Sequence, residues 1–120
     1  MNMLNSAKCG YGAIPIELKT DRSIEAEVFS SINIALEKNR LNFPNLTEVL
    51  QKNRRFWTHL AVAVGSEGNG LPAELRSKIL YLFEVVIHRT NQILRGEADV
   101  DLIIDINSSV AAGLFSEGGF

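Results

Sequence analysis

From Asn53 to Leu114 the chain carries three apolar stretches of helical period, each ended by residues that break helices. Three glycines in six residues interrupt it at Gly65-Ser66-Glu67-Gly68-Asn69-Gly70, and Pro72 follows at once. Arg95-Gly96 makes a second break and Gly113 a third. Clustered glycine favours loop over helix, and Pro72 suits the first position of the next helix, where its missing N–H costs nothing. Punctuation of this kind fits helices stacked as hairpins. None of it forms a catalytic constellation.

The rest of the chain agrees with that frame. Residues 1–19 read as an irregular N-terminal arm, because Gly10, Gly12 and Pro15 interrupt a helix while Tyr11, Ile14, Ile16 and Leu18 offer apolar contacts. A first helix, capped by Thr20 or Asp21, runs to about Asn39 with Ile24, Val28, Ile32, Ala35 and Leu36 on one stripe. Glu25 and Glu27 near its start, and Lys38 and Arg40 near its end, complement the helix dipole. After a turn at Asn42-Phe43-Pro44, Asn45 and Glu48 have the form of a capping box. The second helix carries Leu46, Val49, Leu50, Phe56, Trp57, Leu60 and Val64 on one face.

The third helix runs from Pro72 to about Arg95, roughly 36 Å at about 1.5 Å per residue. Leu75, Ile79, Leu82, Val86 and Ile93 mark its stripe, and Leu80, Phe83, Ile87 and Leu94 broaden it, so the face touches more than one neighbour. Arg95-Gly96 is a stop signal, a cation at the negative end of the dipole followed by a left-handed cap. Asp99 or Asp101 caps a fourth helix bearing Val100, Ile103, Ile104, Val110, Ala111 and Leu114, with Gly113 ending it. The β-branched residues at 100–106 also suit a strand, but no second strand is there to pair with it. The expected fold is all-α: a small antiparallel bundle of about four helices in residues 20–115, with the arm at 1–19 and a loose tail at 116–120.

Composition narrows function mainly by exclusion. A chain of 120 residues makes one domain, and its 46% hydrophobic content fits a globular protein. A net charge of −2 leaves no electrostatic footprint for nucleic acid. No apolar run reaches the about 18 residues of a membrane span, and the N-terminus lacks an apolar signal core, so a cytoplasmic protein without a membrane partner is expected. Cys9 is the single cysteine, and His59 and His88 sit on different helices, so no zinc ligand set is spelled out. Asp99, Asp101 and Asp105 fit a cap and an exposed face better than paired catalytic carboxylates. Gly65–Gly70 lacks the preceding strand and the Gly-Lys-Ser/Thr ending of a phosphate loop. Neither an enzyme nor a cofactor is expected.

Four features carry a choice. Lys52, Arg54, Arg55 and His59 form a small basic patch, either a solvated face or a contact for RNA phosphates. Asn53 and Asn107 interrupt apolar stripes; they either bond neighbouring backbone and fix helix register or touch a partner. Trp57 belongs inside, with Phe56 or Phe83 at the rim of a groove. The broad face of the third helix offers Ile79, Leu80, Phe83, Val86 and Ile87, with Phe56 nearby, as partner-binding residues.

From about Asp21 to Leu114 the chain resembles the FlaF family, the flagellar biosynthesis regulators of alphaproteobacteria. The resemblance rests on Arg22-Ser23-Ile24-Glu25-Ala26-Glu27, Asn53-Arg54-Arg55-Phe56-Trp57-Thr58, Asn69-Gly70-Leu71-Pro72-Ala73-Glu74-Leu75-Arg76, Arg95-Gly96, Ile106-Asn107 and Gly113-Leu114. Phe56 stands where the family has Leu before the Trp, and Ala61-Val62-Ala63-Val64 lacks the acidic residue usual after Trp-Thr. The resemblance implies a non-enzymatic helper that promotes flagellin synthesis and filament assembly, acting with or against the translational regulator FlbT. It also implies flagellin as a bound partner, held as a secretion chaperone holds its client. Flagellin termini are amphipathic helices, which an apolar groove can take. The alternatives are direct contact of Lys52, Arg54 and Arg55 with flagellin mRNA or an FlbT–mRNA complex, and a homodimer formed through the apolar face.

Overall fold

A computed structural model describes residues 14–66 and 70–116, with side chains placed for 24–66 and 70–113. Four helices form it: α1 (Ile14–Lys38), α2 (Phe43–Gly65), α3 (Ala73–Leu94) and α4 (Asp101–Ser116). No strand occurs among the described residues, so the β-branched run after Val100 is helical. The helices stand in a ring. α1 packs most extensively on α4 and α2 on α3, the α1/α2 and α3/α4 seams close the circle, and the backbones of the diagonal pairs stay apart. Short connections make ring neighbours antiparallel. Small residues explain the closest pair: Ala26 and Ser30 of α1 lie beside Ser108, Ala111 and Ala112 of α4.

Several helix ends differ from the sequence expectation. α1 begins at Ile14, not at Thr20 or Asp21, so residues 14–19 of the expected arm are helical. Pro15 falls in the first turn, where it fits a helix rather than interrupting one. Residues 1–13, and with them Gly10, Tyr11 and Gly12, lie outside the described residues. Glu25 and Glu27 consequently sit in the body of α1, too far from its start for a dipole role, whereas Lys38 keeps its place in the last turn.

The cap of α2 is Asn42, whose side chain accepts from the Asn45 N–H at 3.2 Å; the expected box at Asn45 and Glu48 lies one turn inside the helix. Pro44, lacking an N–H, joins the first turn without loss and lets the helix start early. At α3, Pro72 takes the cap position itself, with its carbonyl accepting from the Arg76 N–H at 3.0 Å. Of the two candidate caps for α4, Asp99 acts, its carboxylate accepting from the Asp101 N–H at 3.1 Å. Gly113 does not end α4, which runs on to Ser116. The tail expected from 116 lies outside the described residues after that point.

The α3 stop behaves as its residues require. Gly96 has φ +75°, its N–H donates to Ile93 O at 2.9 Å, and the Glu97 N–H donates to Gln92 O at 2.8 Å. These two bonds satisfy carbonyls the helix would otherwise leave bare. A Cβ on Gly96 would meet nothing within 4 Å, so only the backbone angle restricts the position. Gly96→Ala is expected to lower stability by about 1 kcal/mol, with Gly96→Asn milder, as read from urea midpoints.

The core falls into two apolar clusters. An upper one, towards the α2–α3 connection, contains Ala26, Phe29, Trp57, Leu60, Val64, Leu71, Ile79, Val86, Ile106 and Val110. A lower one, towards the α1–α2 turn, contains Ile32, Leu36, Leu46, Leu50, Ile93, Val100 and Ile103. A clasp ties the lower ends of α1 and α4. Arg40 donates from Nε to Glu37 at 2.7 Å and from one Nη to Asp101. That guanidinium holds the Glu37 carboxyl below the ordinary carboxylate range. A carboxyl depressed on folding adds stability above its unfolded pKa and loses it as pH falls through the lowered value. The pair is exposed and therefore screened. Arg40→Gln should accordingly narrow the gap in urea midpoint between neutral and acid solution.

Candidate functional site

Between the two clusters lies a polar level to which every helix contributes one residue. Asn33, Asn53, Thr90 and Asn107 stand at, or within a turn of, the points where their helices pass from one cluster to the other. Asn107 is the hub. Its Oδ1 accepts from Trp57 Nε1 at 2.8 Å, and its Nδ2 donates to Asn53 Oδ1 at 2.9 Å and Asn33 Oδ1 at 3.0 Å. Asn33 Nδ2 reaches Ile104 O at 3.2 Å and Ser108 Oγ at 3.0 Å. Thr90 donates to Val86 O on its own helix at 2.7 Å. Asn53, Thr90 and Asn107 have no exposed surface, and Asn53 Nδ2 has no hydrogen-bond partner.

The sequence expected Asn53 and Asn107 to bond neighbouring backbone; their partners are instead side chains on other helices. The reason is register: the four helices bring amides to one height, where they meet one another before any free carbonyl. Sequence reasoning missed Asn33 and Thr90. The signal was the gap in the α3 stripe between Val86 and Ile93, which a helical period fills at Thr90.

The residues proposed for partner contact do not form one surface. Ile79 and Val86 are core residues of the upper cluster. Phe56 is half-buried and packs edge-on against Phe29, ring centroids 4.9 Å apart, which places it on the α1 side of α2. Leu80 is 38% exposed, and Phe83 and Ile87 are half-buried. Helical spacing puts these three on one flank of α3. The opposite flank, with Leu75, Lys78 and Leu82, lines a recess of about 110 Å³ with Ser109 and Val110 of α4. Leu80, Phe83 and Ile87 therefore lie on the side of α3 nearer α2. At the lower end a groove of about 290 Å³ runs past Leu41, which is fully exposed, and Phe43.

A family model for the flagellar protein FlaF matches residues 7–114. The chain belongs to the FlaF family. No curated protein and no solved structure matches it. In this FlaF fold most of the motif residues lie in the core or at helix ends. Asn53, Trp57 and Asn107 build the polar level, Leu71 closes the upper cluster, Pro72 starts α3 and Gly96 caps it. Leu75 lines the α3/α4 recess, and Arg76 is half-buried with its Nε enclosed and without a hydrogen bond. Gly113 is internal to α4, and the Leu114 side chain lies outside the described residues.

The polar surface of this FlaF protein is modest. Lys52, Arg55 and His59 are exposed along one stripe of α2, while Arg54 turns aside to Gln51 at 2.6 Å. His88 is exposed on α3, and Cys9 lies outside the described residues. Among the described residues no group of three or more His, Cys, Asp or Glu could hold a metal ion, and no helix is long and apolar enough to cross a membrane.

Proposed function

We propose that this FlaF protein is a non-enzymatic regulator of flagellum biogenesis that binds flagellin as a chaperone binds its client. Binding shields flagellin before assembly and promotes its synthesis, with or against FlbT. Family membership supports the flagellar setting. The observation that carries the surface is the α3 flank, where Leu80 with Phe83 and Ile87 keeps apolar area in water beside α2. An amphipathic helix from a flagellin terminus would cover that area by laying its apolar face along the flank. Tyr81, 67% exposed on the next stripe, extends the surface.

Leu80→Glu is expected to weaken flagellin binding at least about ten-fold while leaving the fold intact, because Leu80 is 38% exposed and a longer polar side chain can reach water from there. The check is isothermal titration or co-elution with the cognate flagellin. Clean separation of the wild-type pair on a sizing column at micromolar concentration would sink the reading.

A second reading has one observation in its favour, the shared exposed stripe of Lys52, Arg55 and His59. There the protein touches flagellin mRNA or an FlbT–mRNA complex, and binding falls steeply with salt. Glu48 on the same exposed face, and the net charge of −2, place it second.

A further inference from the structure

On the side of α2 opposite the α3 flank, α1 and α2 leave a second apolar surface in water. Two contacts fix how these helices face each other: Asn45 Nδ2 donates to Asn39 Oδ1 at 3.4 Å, and the Phe29 and Phe56 ring centroids lie 4.9 Å apart. Helical spacing puts Ile24, Val28, Ser31 and Ala35 on the flank of Asn39, and Val49, Lys52, Phe56 and His59 on that of Asn45. Because the two helices are antiparallel, Ala35 stands level with Val49, Val28 with Phe56 and Ile24 with His59. The shared face runs roughly 16 Å, about three helical turns. It is not filled to its surface. α1 packs less closely on α2 than on α4, Val28, Ala35, Val49 and Phe56 are only half-buried, and Ile24 is 47% exposed. Ile34, one turn beyond Ser31, is 69% exposed and widens the apolar area. The two edges differ in charge. Lys52, Arg55 and His59 are exposed along the α2 edge with Glu48 the one carboxylate among them, whereas α1 has no Lys or Arg between Ile24 and Glu37.

We propose that this seam is a second docking surface, which takes the apolar face of an amphipathic helix bearing carboxylates along the edge turned to α2. Lys52 and Arg55, three residues apart on α2, pair with carboxylates one turn apart on that helix. The exposed apolar residues favour a protein helix over a nucleic acid, since Ile24 and Ile34 give bases no ring on which to stack. The surface lies across α2 from Leu80, Phe83 and Ile87, so its use does not depend on flagellin binding there.

The test uses the full isotope-labelled chain and two synthetic alanine–leucine helical peptides, one with glutamates along one edge and the other with lysines in their place. The glutamate peptide is expected to shift the amide signals of residues 28–35 and 49–59, and to bind at least about ten-fold tighter than the lysine peptide. Lys52→Glu combined with Arg55→Glu should weaken it at least about ten-fold, and Ile24→Ser at least about three-fold. Circular dichroism should stay unchanged in both variants, because all three side chains reach water. Shifts that map elsewhere, equal binding of the two peptides, or a charge-reversed variant that binds like wild type overturn the proposal. Oligouridine that shifts these amides where the glutamate peptide shifts none overturns it too, and favours the contact with RNA. None of these readouts involves flagellin, so their outcome is separate from that of the flagellin assay.

Discussion

Asn107→Leu is expected to lower the free energy of unfolding by about 3–5 kcal/mol, although leucine has the same number of side-chain heavy atoms in the same branching. Three hydrogen bonds vanish together: the one accepted from Trp57 and those donated to Asn53 and Asn33. The remaining groups stay in place, and Trp57 and Asn53 have no solvent to turn to. Each buried group left unpaired costs about 1–3 kcal/mol, so the sum reaches the upper range for a single substitution. Trp57→Phe offers a graded comparison. It leaves only Asn107 Oδ1 short of a donor and adds about 1 kcal/mol for the small cavity where part of the indole stood, so it should still lose less. Urea unfolding followed by circular dichroism measures both, and equal losses would show that the amide cluster does not act through Asn107 as its hub.

Phe29→Ala is expected to cost a similar about 3–5 kcal/mol through a different mechanism, the cavity left where a buried ring stood. Phe29 has no exposed surface, and its ring meets Phe56 at 4.9 Å and Trp57 at 5.4 Å. Those rings are fixed from other directions, Trp57 by its bond to Asn107, so the site cannot collapse to fill the space. Val62→Ala, at a position 67% exposed on α2, supplies the control and should stay within about 0.5 kcal/mol of wild type. A loss at Phe29 no larger than that control would mean that the aromatic group is loosely packed.

How much of this was legible in the sequence depended on whether a single residue or an alignment between helices decided it. The α3 stop could be read from Arg95-Gly96 because one glycine at φ +75° settles it locally. The number of helices was legible for the same reason. Helix starts were harder where a proline was ambiguous. Pro15 and Pro44 both read as interruptions, yet both occupy first turns, where a missing N–H does no harm. Gly113 was read as a stop although it continues α4, because packing of the surrounding apolar residues overrides the weak helix propensity of one glycine. The polar level was half legible. Asn53 and Asn107 stood out within their stripes, but which groups they bond depends on the relative height of four helices, which no local pattern records. The partner surface was the least legible part. Periodicity widened the α3 face without saying which of its edges other helices would cover, and Ile79 and Val86 proved to be core.

A bundle whose buried apolar residues fall into two clusters, joined through the half-buried Phe56, resembles two short bundles in series, and that bears on how such a chain can diverge. Apolar substitutions at Leu60, Val64 or Val110 must be reconciled with one another, but not with Leu36, Leu50 or Ile103 on the other side of the amides. Each end can then drift to match a changing partner while the other preserves the shape. Asn53, Trp57 and Asn107, which bond one another across α2 and α4, are the positions least free to change.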